Sequence, residues 1–169
     1  KSTLVKIISG AHTADEGRLY FQGNQVTIRG PEDSIALGIA TVYQDLALVG
    51  TRDVAHNLFI GREPTRWGMV DRQKMVAEAH SLIDLLNVDI PSVEAQVGKL
   101  SGGQRQAVAI GRAVHEGRSI LVLDEPTAAL GVKESRKVLE LMLDVKKRGL
   151  PIIPISHNMP HVFEVADRI

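Results

Sequence analysis

The clearest pattern in the chain is a pair of apolar runs separated by an amphipathic segment. Ile120 to Leu123 and Ile152 to Ile155 are short apolar stretches typical of buried strands. Between them, four apolar residues keep helical spacing: Val138, Leu141, Met142 and Val145. A strand, a helix and a second strand predict a parallel crossover, a unit that places chemical groups at the carboxyl ends of its strands.

The front of the chain predicts further elements of an α/β fold. Apolar spacing indicates a short helix from Leu4 that stops at Gly10. Arg18 to Gln22 and Gln25 to Ile28 are expected to pair as an antiparallel hairpin, with Gly23 and Asn24 in its turn. Another buried strand is expected from residue 38 to residue 43.

The middle of the chain has helical periodicity. We expect helices from Val54 to Ile60 and from Asp71 to Leu86. Residues 46–117 should therefore form an inserted helical subdomain, which carries Ser101 to Gln104. The α/β core would consist of residues 1–45 and 118–169.

Two residues are unusual for their predicted elements. Pro154 lies in an apolar strand although proline has no N–H to donate, so this strand either bulges or has a locally free edge. Gly111 lies inside a helix, where glycine costs about 1 kcal/mol relative to alanine. We expect it to permit close packing.

Length and charge narrow the class of protein. The chain of 169 residues suits one domain, and its 20 basic residues balance its 20 acidic residues. Without a long-range basic field, no nucleic-acid partner is expected. There are no cysteines, which excludes disulfides and thiolate metal sites. No apolar run approaches the roughly 20 residues that cross a bilayer, so any membrane role requires a partner.

The chain opens on Lys1 rather than Met, and we expect a single domain truncated at both ends. Lys1, Ser2 and Thr3 at a helix start are typical of the end of a phosphate-binding loop. In such a loop the lysine binds the β- and γ-phosphates and the next hydroxyl binds Mg²⁺. The alternative is an ordinary helix start that contains a lysine and a serine.

Two adjacent acids follow the apolar strand that ends at Leu123. Asp124 and Glu125 should project into a cleft at the end of this strand, where paired carboxylates indicate a cation or a proton transfer. The natural division is that Asp124 holds Mg²⁺ through water and Glu125 acts as a general base. The alternative is a pair of acids that caps the next turn.

A glycine-rich turn precedes a second helix. Ser101, Gly102, Gly103 and Gln104 would present amides and a hydroxyl at the helix start, and such a start attracts anions. An ordinary glycine-rich helix cap is the alternative.

These motifs, together with two others, resemble those of the ABC ATPase family. The order is Lys-Ser-Thr, Tyr43-Gln44, Leu-Ser-Gly-Gly-Gln, Leu-Asp-Glu-Pro-Thr and Ser156-His157, and the resemblance covers essentially the whole chain. It implies a P-loop NTPase core, which is a mostly parallel sheet with flanking helices, plus an antiparallel β hairpin region and an inserted helical subdomain. It also implies an ATPase that uses ATP and Mg²⁺.

The resemblance assigns roles by position. The catalytic residues would be Glu125 as the base, Gln44 near the attacking water and His157 as the switch histidine on the γ-phosphate. Residues on the nucleotide in the same chain would be Lys1, Ser2, Thr3, Gln44, Asp124 and His157, and Mg²⁺ would lie near Ser2, Gln44 and Asp124. The signature residues Ser101, Gly102, Gly103 and Gln104 would bind ATP held by a second cassette, so catalysis would require a dimer.

Finer features resemble monosaccharide importers, with the fructose and ribose types nearest. They lie in residues 128–135 and 155–160. The implied partners are transmembrane permease subunits, which would contact Asp45 to Gly61, and indirectly a sugar-binding protein. The cassette would then lie on the cytoplasmic face of the membrane. A solvated amphipathic face is the alternative for Asp45 to Gly61.

Two other functions stay open: a non-transport ABC ATPase that acts on ribosomes or in DNA repair, and a catalytically inactive fragment. One position departs from the family, because Gly131 stands where an aspartate is usual. The contacts of that aspartate across the dimer therefore do not carry over.

The remaining histidines and the single tryptophan suggest no chemistry. We interpret Trp67 as a loop anchor packed on the helical insertion, with a membrane-subunit contact as the alternative. Five histidines show no metal-ligand spacing and are expected to be surface residues without a role: His12, His56, His80, His115 and His161.

Overall fold

A three-stranded parallel sheet lies at the centre of the fold, and the computed structural model describes it together with its helices over residues 2–115 and 119–169. Lys1 and the side chain of Ser2, both assigned to the nucleotide above, lie outside the described residues. In chain order the elements are α1 (Ser2–Ile8), β1 (Leu19–Phe21), β2 (Asn24–Val26), α2 (Pro31–Ala36), β3 (Ile39–Val42), α3 (Val54–Phe59), β4 (Thr65–Arg66), β5 (Met69–Val70), α4 (Arg72–Leu85), α5 (Gly102–His115), β6 (Ile120–Asp124), α6 (Val132–Lys147), β7 (Ile152–Ile155) and α7 (Met159–Val165).

The central sheet has the order β3-β6-β7, and both pairs of strands are parallel. Helix α6 connects β6 to β7, which confirms the predicted crossover. Val42 pairs with Leu123, and Asp124 pairs with Ile155. The carboxyl ends of all three strands therefore lie along one edge of the sheet.

Both faces of strand β6 are covered. Val122 faces a small core that also contains Val5 of α1 and Ile39 of β3. Leu121 and Leu123 face the opposite side, in a larger core that includes α3, α4, α5 and α6. All three β6 residues have no exposed surface, which explains why the strand is continuously apolar rather than alternating.

Helix α5 packs against other helices of this core, and Gly111 lies in it beside two leucine side chains. A Cβ atom added to Gly111 would lie 3.3 Å from a methyl group of Leu58 and 3.3 Å from one of Leu86. The expectation that this glycine permits close packing is confirmed.

Pro154 is tolerated in β7 because its backbone nitrogen points away from β6. Leu121 donates to the carbonyl of Pro151, and Glu125 donates to that of Ile155, so the odd-numbered residues of this segment face β6. The nitrogen of Pro154 therefore points to the edge that is free among the described residues. Of the two expectations for this strand, the free edge is confirmed, and the register has no bulge.

Two details of the sequence-based prediction were wrong. Phe21 pairs with Asn24, so the first hairpin turns on Gln22 and Gly23, one residue earlier than predicted, and both have positive φ values of 51° and 80°. Trp67 is not packed on the helical segment: it lies at the tip of the short β4–β5 hairpin and is 89% exposed. Neither this hairpin nor α2 was predicted.

Among the described residues, no helix combines the length and apolar character of a membrane span.

Candidate active site

The candidate site lies at the carboxyl edge of the central sheet. Gln44 follows β3, Asp124 ends β6 and is followed by Glu125, and Ser156 and His157 follow β7. The parallel register brings these three segments to the same edge, as the sequence predicted for the two segments that follow β6 and β7. We call residues 124–127 the acidic turn and residues 156–158 the switch loop.

Glu125 is held by the switch loop through both of its carboxylate oxygens. Its Oε1 lies 2.9 Å from Nδ1 of His157, and its Oε2 accepts a hydrogen bond of 3.3 Å from the Ser156 hydroxyl. The Ser156 oxygen also accepts the N–H of Asn158 at 3.1 Å, which fixes the hydroxyl in place. Glu125 is therefore oriented by two residues of its own chain.

The backbone of Glu125 adopts an uncommon conformation. Its φ angle is +51°, a left-handed value that costs a non-glycine residue about 1–2 kcal/mol. The N–H of Glu125 donates to the carbonyl of Ile155 at 2.8 Å, which continues the β6–β7 ladder by one bond. Strain of this kind persists where the surroundings determine the conformation, and it is concentrated at functional sites.

A cleft of about 350 Å³ joins the acidic turn to the loop after β3. Gln44, Glu125 and Gly102 of the signature all line it. The side chain of Glu125 is 20% exposed and that of His157 is 80% exposed, so His157 is the more accessible of the pair. A solvent-accessible carboxylate beside a histidine and an amide can accept a proton from a water molecule in this cleft.

The loop after Gln44 is held by the helix that follows the signature. Arg112 of α5 donates to the carbonyls of Leu46 and Ala47, at 3.1 Å in both cases. Ala47 has a φ of +48°, and its N–H donates to the Asp45 carboxylate at 3.3 Å. This arginine is a site residue that the sequence analysis missed, because its partners are backbone carbonyls 65 and 66 positions away.

The signature begins helix α5 with reciprocal hydrogen bonds. Ser101 donates its N–H to Oε1 of Gln104 at 2.9 Å, and Gln104 donates its N–H to the Ser101 hydroxyl oxygen at 3.3 Å. This is a capping box, which pairs two backbone amides at a helix start. The Gln104 amide also donates to the carbonyl of Asp89 at 2.8 Å. The side chain of Gln104 is therefore bound within its own chain.

The two signature glycines provide room for the start of α6. A Cβ atom on Gly102 would lie 2.6 Å from a methyl group of Leu130, and one on Gly103 would lie 3.1 Å from Cβ of Glu134. Hydrogen bonds from the Ser101 hydroxyl and from the amides of Gly131 and Gly103 hold the pKa of Glu134 below its usual value. The Glu134 carboxylate thus accepts hydrogen bonds from two signature residues, Ser101 and Gly103.

One histidine that we expected to lack a role contacts the acidic turn. His161 is half-buried in α7, and its Nδ1 lies 3.1 Å from the hydroxyl of Thr127. The interpretation of His161 as a surface residue was therefore wrong. The sequence offers no signal for this contact, which joins residues 34 positions apart.

The oxygen ligands expected for Mg²⁺ are compatible with this site, although no group of three acidic or histidine residues that could hold a metal occurs among the described residues. Mg²⁺ keeps several water molecules and commonly takes one or two carboxylates plus phosphate oxygens. Asp124, at the end of β6 and half-buried, provides such a carboxylate, and the exposed Gln44 provides an amide oxygen. Thr3, which the resemblance assigns to the nucleotide, is exposed in the first turn of α1.

Comparison with known proteins identifies the family of the chain. Residues 1–128 match the ABC transporter family. The whole chain is 49% identical to the xylose/arabinose import ATP-binding protein of Sulfolobus acidocaldarius and 50% identical to the fructose import ATP-binding protein of Rhizobium meliloti, of which it spans 67% and 68%. It is 40% identical to the ribose import ATP-binding protein of Yersinia pestis, of which it spans 33%.

Solved structures support the same assignment. A nucleotide-free ATP-binding cassette of an ABC transporter is 27% identical, with a TM-score of 0.82 over 98% of this chain and 69% of that one. An ATP-binding cassette in its ADP conformation is 28% identical, with a TM-score of 0.83 over 99% of this chain and 69% of that one. The chain therefore belongs to the ABC transporter family and has the fold of its ATP-binding cassettes.

Proposed function

We propose that this chain hydrolyses ATP to power an ABC importer for a monosaccharide. The observation that carries the proposal is the position of Glu125, which is held between Ser156 and His157 and lines a cleft with Gln44. The sugar-import names of relatives that are 40–50% identical support the class of transported substrate.

In the proposed reaction, a water molecule attacks the γ-phosphorus of ATP. Glu125 takes a proton from this water as the new O–P bond forms, and the bond from the γ-phosphorus to its bridging oxygen breaks to release ADP. Gln44 orients the water, and His157 contacts the γ-phosphate. Asp124, Gln44 and Ser2 would hold Mg²⁺, which when bound neutralises charge on the β- and γ-phosphates.

The proposed active unit is a dimer of cassettes. Lys1, Ser2 and Thr3 would bind the phosphates of ATP within one chain, and residues 101–104 would close on the ATP of the other chain. Ser101 is exposed, as this arrangement requires. Gly131 has no side chain for the contacts of the usual aspartate, so the dimer must form without them.

The proposed membrane contact is the segment Asp45 to Gly61, which would receive permease subunits. Helix α3 within it is almost wholly buried, so the available surface is the preceding loop together with Ile60 and Gly61. The assembly would lie on the cytoplasmic face of the membrane, with a sugar-binding protein on the other side. Residues 46–117 would form the helical subdomain, and residues 1–45 and 118–169 the core.

The decisive experiment compares ATP hydrolysis by the full-length gene product with that of Glu125→Gln. We expect phosphate release to depend on protein concentration, and we expect the substitution to lower kcat at least 100-fold because it removes the base. The variant should accumulate as an ATP-bound dimer in gel filtration. Glu16→Gln, at an exposed loop position, is the matched control and should keep parental activity.

Transport is tested with the same two variants in cells that lack the gene. Uptake of labelled xylose, arabinose, fructose and ribose should identify one sugar that the parent and Glu16→Gln accumulate and Glu125→Gln does not. Parental hydrolysis by Glu125→Gln would refute the assignment of the base. Hydrolysis without uptake of any sugar would favour a cassette with a different cargo or a non-transport ATPase.

A further inference from the structure

His161 connects the start of α7 to the acidic turn. Its Nδ1 lies 3.1 Å from Oγ1 of Thr127, and Thr127 is only 9% exposed. Neither residue belongs to the reaction proposed above. A hydrogen bond between a buried hydroxyl and a half-buried ring is shielded from water, so it constrains the position of both segments.

The hydrogen bonds around Asn158 assign the ring protons of His161. Oδ1 of Asn158 accepts the backbone N–H of His161 at 3.4 Å, and its Nδ2 faces Nε2 of the ring at 3.5 Å. Nε2 is then the acceptor and Nδ1 carries the proton. The ring therefore donates through Nδ1 to Oγ1 of Thr127, and Asn158 contacts the ring on its other side.

The acidic turn is thus attached to the segment after β7 at two separate points, once to the switch loop and once to α7. One is Glu125 with Ser156 and His157, and the other is Thr127 with His161. A loop attached at a single point can pivot about it, whereas attachment at two points sets its orientation. The second contact also lies next to Asn158, whose side chain caps α7 directly after the switch histidine.

From this geometry we infer that His161 is a positioning residue for hydrolysis: through Thr127 it fixes the switch loop against the acidic turn, so that Ser156 and His157 keep their contacts with Glu125. This inference rests on the proposed function, in which Glu125 is the base. His161 itself contacts neither ATP nor water in the reaction. Its effect should appear in kcat rather than in the binding of ATP.

The test measures steady-state hydrolysis by the full-length gene product and its variants. Thr127→Val and His161→Phe each remove the hydrogen bond, and each should lower kcat by about tenfold, the effect of one lost hydrogen bond. The double variant should fall no further than either single variant. The KM for ATP should stay close to the parental value, and each variant should remain folded at the assay temperature even if its unfolding temperature falls by a few degrees.

Conservative variants separate positioning from a purely structural role. Thr127→Ser keeps the hydroxyl, and His161→Gln keeps a donor of similar reach, so both should recover most of the parental kcat. His80→Phe, at an exposed position of α4, is the matched control and should change nothing. Glu125→Gln is measured in parallel: if it keeps activity, the proposed function fails, whatever His161 does.

Three results would overturn the inference while Glu125→Gln remains inactive. The first is parental kcat in Thr127→Val and His161→Phe. The second is independent effects, in which the fold losses of the single variants multiply in the double variant. The third is a loss explained wholly by weaker ATP binding or by unfolding at the assay temperature, with no recovery in Thr127→Ser or His161→Gln.

Discussion

At the scale of single residues, three residues with strained backbones lie beside the candidate site. Glu125, Ala129 and Ala47 are non-glycine residues with φ values of +51°, +59° and +48°. Glu125 and Ala129 line the cleft that contains Gln44, and Ala47 lies in the loop that leaves it. Each such residue costs about 1–3 kcal/mol and is retained where the surroundings determine its conformation.

Gly10 illustrates a glycine that the fold requires. It has a φ of +76° directly after α1, and a Cβ atom on it would lie 2.2 Å from the carbonyl oxygen of Gly30. We expect Gly10→Ala to lower the free energy of unfolding by about 3 kcal/mol or more, since both the backbone and its neighbour must shift. Urea unfolding followed by circular dichroism measures this change.

The control for this prediction is Gly17→Ala. Gly17 also has a positive φ, of +110°, but no atom lies within 4 Å of the added Cβ. Its substitution should cost about 1–2 kcal/mol from the backbone alone. Equal losses in the two variants would show that the contact with Gly30 contributes nothing.

At the scale of elements, the edge position of β7 explains how proline is tolerated in a parallel strand. Pro154 faces the free edge, whereas the N–H of Ile153 faces β6. The two neighbouring positions therefore differ in what they donate to the ladder, although both lie in one apolar run. The direction in which the backbone nitrogen points, rather than the apolar character of the strand, decides how much a missing N–H donor costs in stability.

This difference predicts opposite outcomes at adjacent positions. Ile153→Pro removes a ladder donor and should lower the free energy of unfolding by about 3 kcal/mol or more. Pro154→Val restores an N–H on the side of β7 that has no strand partner among the described residues, and should change stability by less than about 1 kcal/mol. Thermal unfolding of both variants measures the difference. A large loss in Pro154→Val with none in Ile153→Pro would show that the backbone nitrogen of residue 154, and not that of residue 153, faces β6.

At the scale of the whole molecule, the helical segment and the sheet share one hydrophobic core, which includes Leu58 of α3, Ile110 of α5 and Leu121 of β6. The signature lies where these parts meet, and Glu134 reaches it from α6, the helix of the sheet crossover. The carboxylate of Glu134 therefore connects the two parts at the position where the second cassette is proposed to place its ATP.

The lowered pKa of Glu134 makes this connection sensitive to acid. The pKa is lowered chiefly by the Ser101 hydroxyl, and then by the amide of Gly131. A carboxylate whose folded-state pKa is below its unfolded value contributes stability above the ordinary pKa of 4.5, and this contribution is lost as the pH falls through the folded-state value.

We therefore expect the parent to unfold at a higher temperature than Glu134→Gln near pH 6, with the difference shrinking as the pH falls below 4.5. Differential scanning calorimetry across this range measures it. Glu63→Gln, at a loop position outside this junction, is the control. The difference between its unfolding temperature and that of the parent should not change with pH. A gap that widens as the pH falls would contradict the assigned direction of the pKa change.

Much of the fold could be predicted because its signals are local. The apolar run of β6 and the periodicity of α6 required only neighbouring residues, and the parallel crossover followed from their order. The errors arose where a single residue decides the geometry. The hairpin turn depended on whether Gln22 or Asn24 takes the left-handed conformation, and the position of Trp67 depended on a two-residue pairing too short to leave a periodic pattern.

The sequence by itself determined the α/β class, the family resemblance and the segments that meet at the carboxyl edge, because strand order and motif spacing are written along the chain. Only the tertiary structure decided which groups surround the candidate site: the hydroxyl of Ser156 beside Glu125, the pairing of Thr127 with His161, and the hydrogen bonds from Arg112 to the loop after Gln44. These contacts join residues 31 to 66 positions apart. A hydrogen bond over such a separation depends on where folding places two side chains, and this placement leaves no periodic trace in the sequence.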